Sequence, residues 1–309
     1  FGGTNTTRED QYKVDVGGYN PLLGKSYGEI AAESRSQHKS QGFGVPATRG
    51  ESLEYFKATK GDQPSNDLMD GVDLSWNRIP GGDRVAAAIE SLARNFDLLH
   101  PEKTVEGLVK LDQLMSGLPD GYWKAQKKKE VQELIVQCSG LFMDITTAEQ
   151  FAVQTDSLRF NFAFNNRLGS SISLEKIILD QFDSSFTRQL EKNRNFGFSK
   201  TLYIPANKPI TQPYWLEKKM KEGYFDVTNQ LLIGQPNVNT AFNAFIHLNI
   251  YGEGYIMARP VRYKFTDPVK GELYQPLVVV PPVLLEPDNT TKISKNNNQF
   301  EGTLTLTGK

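Results

Sequence analysis

Few side chains in this 309-residue chain are of types that do chemistry at a defined spacing. The three histidines, His38, His100 and His247, are scattered, and none has a second histidine or carboxylate at ligand spacing. A catalytic zinc needs three protein ligands and an open position for water, so no metal ligand or catalytic residue is expected in the chain itself. Cys138, the single cysteine, stands in LIVQCSGLF on the apolar side of a predicted helix. A reactive thiol wants a nearby base and an electropositive setting, and neither is visible, so Cys138 is read as a core residue. The most informative polar group is Arg35, His38, Ser40 and Gln41, near the end of the stretch Val14–Gly44. A second candidate is the pair Tyr214 and Trp215, held between prolines in PITQPYWL. Aromatic faces stack on sugar rings, so this pair is a candidate glycan contact; fastening a long connection to its neighbour is the other role open to it.

The elements that must position these residues follow from pattern. Tyr12–Val16 reads as a strand, and Ser26 followed by Glu29 is a capping-box pattern that opens a helix running to Gly42 and Gly44. On that helix Ile30, Ser34 and His38 recur at four-residue steps and share one face, with Arg35 and Gln41 beside it. The face is small and polar, suited to packing closely on a backbone or lining a polar cavity. Residues 46–82 are dense in Gly, Pro, Asp, Asn and Ser and predict an irregular crossing segment, with Trp76 as its anchor or, less simply, a sugar platform. Three helices follow over 83–145. Their stripes are Val85, Ile89, Leu92, Phe96 and Leu99, then Val105, Leu108, Leu111 and Met115, then Val131, Leu134, Ile135, Cys138 and Phe142, with Asp120 capping the third. The lysines at 124 and 127–129 read as a solvated helix face. From 146 to 280 the period changes to two. RFNFAFNNRLGSSISLEKIILD and AFIHLNIYGEGYIMARPVRYKF predict strands and a hairpin turning at Gly252–Gly254, with His247 as an ordinary sheet residue. Residues 281–309 look like the first strands of a further β-rich domain.

Composition narrows the class. A net charge of −1 with no basic stripe argues against nucleic acid as a partner, and no apolar run is long enough to span a bilayer. One cysteine permits no internal disulfide.

The segments VDVGGYNPLLGKS and EIAAESRSQHKSQGFG resemble the closing strand and last helix of the PIG-L/LmbE family of zinc-dependent N-deacetylases. There an Asp-Val pair leads into a final helix ending in a His-x-Ser-Gln signature, matched here by Asp15–Val16 and by His38, Ser40 and Gln41. YWKAQKKKEVQELIVQCSGLF, TQPYWL and YKFTDPVKGELYQPLVVVPPV resemble the downstream regions of long, multidomain Bacteroidetes-type members. The resemblance implies an α+β multidomain chain: residues 1–45 as the tail of an α/β deacetylase domain, a small helical bundle over 83–145, and an antiparallel immunoglobulin-like β-sandwich over 146–280. It also implies that zinc belongs to an upstream deacetylase domain, since the HPDDE-type segment and the His-rich motif are missing here. Arg35, His38, Ser40 and Gln41 would then be wall or structural residues, and export to the periplasm or beyond is expected. The chain reads as the non-catalytic downstream portion of such an enzyme, or as a carbohydrate-binding or structural β-sandwich module.

Overall fold

In the computed structural model of the protein, residues 11–235, 240–287 and 303–308 are described. The chain is mixed α+β and divides between Ser75 and Trp76 into two compact units.

In the first unit, β1 (Tyr12–Asp15) pairs antiparallel with β4 (Leu53–Phe56), Tyr12 opposite Phe56 and Asp15 opposite Leu53. Between them lie a two-residue ribbon, β2 (Tyr19–Asn20) on β3 (Lys25–Ser26), and helix α1 (Tyr27–Ser36). β4 falls inside 46–82, so the expected crossing segment contains a strand that returns to β1. Its LEYF run is too short to show a period within a Gly- and Pro-rich context. The capping box forms as expected: the Glu29 amide donates to Ser26 Oγ at 3.2 Å, and the Ser26 amide donates to the Glu29 carboxylate at 2.8 Å. Gly28, a weak helix former, is explained by a close approach, because a Cβ there would stand 2.7 Å from the Thr48 carbonyl oxygen. Among the described residues of this unit only Gly17, Ser26 and Ala32 are buried, while Leu22, Leu23, Tyr19 and Leu74 are exposed.

The second unit starts with helices α2 (Gly82–Arg94), α3 (Val105–Ser116) and α4 (Tyr122–Ser139). Six strands follow: β5 (Leu141–Thr147), β6 (Phe151–Val153), β7 (Ser157–Asn166), β8 (Ile172–Leu179), β9 (Phe182–Gln189) and β10 (Asn195–Tyr203). After a long connection come β11 (Asn243–Ile250), β12 (Glu253–Pro260), β13 (Arg262–Asp267), β14 (Gly271–Pro276) and β15 (Val278–Val280). One sheet has the order β10-β7-β5-β13-β14 and the other β12-β11-β8-β9, while β15 pairs with β6. All pairs in the two larger sheets are antiparallel except β13 with β5.

Alternation on β7 decides which face is inward. Leu158, Phe160, Phe162 and Phe164 are buried, whereas Arg159 and Ala163 are exposed and Asn161 and Asn165 half-buried. Phe162 stacks on Phe198 of β10 at 4.6 Å between centroids, and Phe182 of β9 approaches Phe162 at 5.6 Å. Those contacts bring the two sheets face to face at one edge of a shared interior. The interior is continuous with the helices: Val85, Val105, Met115, Val131 and Ile135 belong to the same core as Phe160, Leu174 and Ile246. The helices and strands thus share one interior within the second unit. Each helix has one apolar face that needs a partner surface, and the sheets supply it.

Several boundaries differ from the sequence expectation. α2 stops at Arg94, leaving Leu99 84% exposed in place of its expected inward position; the Asn95 side chain donates to the Ser91 carbonyl and closes the helix. Leu134 is on the open side of α4, and Phe142 belongs to β5, turned outward, because Gly140 in the left-handed region ends the helix two residues earlier. Gly121, not Asp120, occupies the N-cap of α4. The lysine run is not wholly solvated. Lys124 Nζ donates to the carbonyls of Ser116 (2.9 Å) and Leu118 (2.6 Å), and Lys128 Nζ reaches Ser116 Oγ (2.7 Å) and Asp112 (2.9 Å). Two cations thus sit on the free carbonyl end of α3, where the helix dipole favours them. The long strand expected over Tyr255–Phe265 divides at fully buried Val261, where the chain passes from one sheet to the other. Its hairpin turns at Tyr251 and Gly252, both with positive φ, one residue before the expected site. At the C-terminal end, β16 (Val283–Pro287) pairs antiparallel with β17 (Leu304–Gly308); the rest of the strands expected over 281–309 lies outside the described residues, as do residues 1–10.

Phe162→Ala should cost about 3–5 kcal/mol in urea unfolding, because it empties a site packed on Phe182 and Phe198. Leu99→Ala should change stability by no more than about 0.5 kcal/mol. A large loss at Leu99 would restore the longer helix.

Candidate functional site

The residues singled out from sequence occupy two places, one in each unit. In the first unit, α1 ends at Ser36 and Gln37 forms its C-cap, its amide bonded to the Ser34 and Arg35 carbonyls. Lys39–Gln41 then form a separate tight turn closed by Gly42 at φ 66°. His38 stands between the two, so the face through Ile30 and Ser34 does not continue to it. The run SRSQHKSQ contains no apolar residue to hold a further helical turn against anything. Arg35, His38, Ser40 and Gln41 are all exposed. What gathers two of them is Phe43, which sequence reading passed over: the Arg35 guanidinium lies 5.7 Å from its ring centroid and the His38 ring 6.3 Å. This is a cation–aromatic surface cluster, with no nucleophile–base pair.

The other end of α1 is more tightly built. Asp15 Oδ1 accepts from the amides of Gly17 (2.8 Å) and Ser52 (2.9 Å), which hold its carboxyl below the usual carboxylate range, the Ser52 bond contributing most. Glu29 is likewise held low, first by the Ser26 amide, and pairs with Arg49 at 2.8 Å. These groups line a cleft of about 510 Å³ with Gly18, Gly50 and Glu51. Both carboxylates are committed to backbone amides, so they fasten the β1–α1 corner to the segment before β4. Neither is free to act as a base.

In the second unit, Tyr214 and Trp215 lie on a single tight turn, Tyr214–Leu216, behind Pro213. Both are half-buried, with centroids 4.9 Å apart and planes at 88°. Perpendicular rings do not present one flat platform to a sugar; one ring at most can stack. Trp76 is partly buried against the core of its own unit and lines an apolar groove of about 360 Å³ with Leu92, Phe96, Met115, Leu134 and Cys138. Burial pushes the Cys138 thiol up from its ordinary value, which keeps it protonated and unreactive.

The remaining histidines are apart from these places. His100 Nδ1 lies 3.4 Å from Glu102, a pairing two residues apart that the sequence survey did not count, and the imidazole is exposed. His247 is half-buried on β11 opposite Lys176 and Ile256. Among the described residues no three His, Cys, Asp or Glu side chains are grouped to hold a metal ion. The donors around His38, one imidazole beside an arginine and a phenylalanine, do not fit a zinc centre. Among the described residues no helix is long and apolar enough to cross a membrane.

A polar array that sequence reading missed covers the outward face of the five-stranded sheet. Arg262 Nη2 lies 3.1 Å from Asp144 Oδ1, and the Tyr274 hydroxyl lies between Asp144 Oδ2 (3.1 Å) and the carboxylate of Glu272. Arg262 also covers the Tyr274 ring at 4.1 Å, and Lys264 pairs with Glu272 at 2.8 Å. The bond to Glu272, then burial, raises the Tyr274 phenol above its ordinary value, while Lys264 and Tyr274 lower Glu272. Asp144 is 118 residues from Arg262 and 130 from Tyr274, so no local pattern brings it to them.

No protein-family model matches the chain. No curated protein sequence matches it. Among solved structures, the alkylpurine DNA glycosylase AlkC of Pseudomonas fluorescens, bound to DNA containing an abasic site analogue, aligns at 6% identity and a TM-score of 0.18. The alignment covers 54% of this chain and 48% of that one. A likeness at that score supports no conclusion on fold or activity.

The lowered Glu29 carboxyl gives the α1 cap a defined pH dependence. Its contribution is present above the ordinary carboxylate range and is lost as pH falls through the lowered folded value. Glu29→Gln should therefore speed exchange of the α1 first-turn amides at neutral pH, and wild type and variant should converge in acid. A gap between them that persists in acid would remove the carboxylate from the cap.

Proposed function

We propose that the chain is the non-catalytic downstream portion of a PIG-L/LmbE-like zinc-dependent N-deacetylase, which hydrolyses N-acetyl groups on sugar-like substrates. The observation that carries the reading is the construction of the first unit. It has a strand pair, a capped helix and a committed hydrogen-bond corner, yet buries only Gly17, Ser26 and Ala32 among its described residues. Two paired strands and one helix of ten residues do not stabilise themselves without an apolar core. Tyr19, Leu22, Leu23, Tyr27, Leu53 and Phe56 are meanwhile exposed, which suits a surface covered by another domain. In this reading that domain is the deacetylase domain upstream, and the first unit completes it as closing strand and last helix.

Zinc, held by the upstream domain, would supply the activated water for amide hydrolysis. This chain contributes position. Arg35, His38, Ser40 and Gln41 would be wall or structural residues, the first two gathered at Phe43, and the corner around Asp15 and Glu29 fastens β1 and α1 to the segment before β4. The second unit, with its own continuous core, follows as an independently stable module. Passage of the polypeptide across the inner membrane belongs to the same reading.

The test uses the polypeptide as the source cell makes it, beside the 309-residue chain. Metal analysis should find zinc near one equivalent in the longer polypeptide, and acetate should be released from N-acetylglucosamine or its oligomers. The 309-residue chain should do neither. A longer polypeptide that holds no zinc and frees no acetate would sink the proposal, as would acetate release by the 309 residues alone.

A further inference from the structure

We propose that the outward face of the five-stranded sheet is a binding surface for a neutral oligosaccharide, which lies in a trough between two ladders of hydrogen-bonded side chains. In one ladder, Asn165 Nδ2 donates to Asn195 Oδ1 at 2.6 Å. In the other, Ser199 Oγ donates to Asn161 Oδ1 at 2.8 Å and accepts from Arg159 at 3.1 Å. Between the ladders the facing positions are Gly197 and Ala163, directly paired across β10 and β7, and the row continues to Asp144 on β5. The small residues leave a floor close to the backbone. Asn195 and Ser199 are four residues apart on one strand, so the trough is roughly 13 Å wide.

The chemistry selects the ligand. Amides and hydroxyls offer both donors and acceptors, which matches sugar hydroxyl and acetamido groups. Each is held by a neighbour across the strand, so little side-chain freedom is lost on binding. The ionic groups at the β13–β14 side, Arg262 with Asp144 and Lys264 with Glu272, are paired internally, while Arg159 donates to the neutral Ser199 hydroxyl, so the face offers isolated cations and not the basic stripe a polyanion such as nucleic acid needs. An apolar protein surface would meet too little apolar area here; Phe142, 37% exposed at the end of the Asn165 ladder, is the aromatic at this edge, with one side of its ring approached by the Arg167 guanidinium at 5.7 Å. This surface is separate from the Tyr214–Trp215 turn, whose perpendicular rings offer no such floor.

The expectation that the sugar is N-acetylated rests on the proposed deacetylase reading; the surface does not. Calorimetric titration of the full 309-residue chain with a hexamer of N-acetylglucosamine and a hexamer of glucose separates the two. Wild type should bind, the Asn161→Ala/Asn165→Ala variant should lose at least tenfold in affinity, and Trp215→Ala should be unchanged, with matching thermal unfolding as the control for folding. Preference for the acetylated hexamer is expected; equal affinity for both would leave the surface standing and count against the acetyl-directed reading alone. Absence of binding to either hexamer by wild type would overturn the proposal. So would full affinity in the double variant, or a loss at Trp215→Ala.

Discussion

Inward alternation of phenylalanine on β7 is the constraint from which the second unit follows. Phe160, Phe162 and Phe164 stand on one face of a strand whose neighbours β5 and β10 place Met143, Ile145, Phe196 and Phe198 opposite them. Each such ring contributes on the order of 1.5–3 kcal/mol when buried, so a one-residue slip would turn the whole set into solvent. The second sheet answers with Leu174, Ile177, Ile246 and Leu248, all fully buried. The helices then cover what the sheets leave open, with Val131 and Ile135 of α4 in the same interior. Because the inner face is so strongly specified, the identity of the outer face is fixed as well. Arg159, Asn161 and Asn165 must point away from the core, and their cross-strand partners complete the ladders.

The first unit is organised on the opposite principle. Its fixed points are polar: Asp15 bridging two amides, the reciprocal Ser26–Glu29 cap, and the Glu29–Arg49 pair. Exposed hydrogen bonds and ion pairs define geometry at small net gain, whereas cores supply stability. A unit rich in the first and poor in the second has its shape specified locally and its stability dependent on what it meets. The exposed apolar side chains of the β2–β3 ribbon and β4 are consistent with that dependence.

Local signals were the legible ones. The capping box, the apolar stripes of α3 and the alternation of β7 could be read directly, since each lies within a few residues and has one physical cause. The end of the helix before His38 was missed because the serines and glutamines there favour neither continuation nor stop; only the absence of packing ends it. Lys124 and Lys128 were misread because a lysine face looks solvated until the carbonyl end of another helix is placed beneath it. The Asp144–Arg262–Tyr274 array was illegible for the same reason at longer range: β13 joins β5 in parallel after 114 intervening residues, by the numbering of Thr147 and Arg262. Pro260, which cannot donate to a ladder, marks the end of β12 just before Val261, and the expected strand over Tyr255–Phe265 ran through it.

The proposal that the first unit depends on a surface supplied by a preceding domain is tested most directly by amide hydrogen exchange. Val14, Tyr55 and the α1 amides should be compared in the 309-residue chain and in the polypeptide as the source cell makes it. The account predicts rapid exchange at these amides in the shorter chain, with β7 and β11 strongly protected, and protection rising by orders of magnitude in the longer one. Equal protection of β1 and α1 in both would contradict it, and would show that this unit holds its own fold.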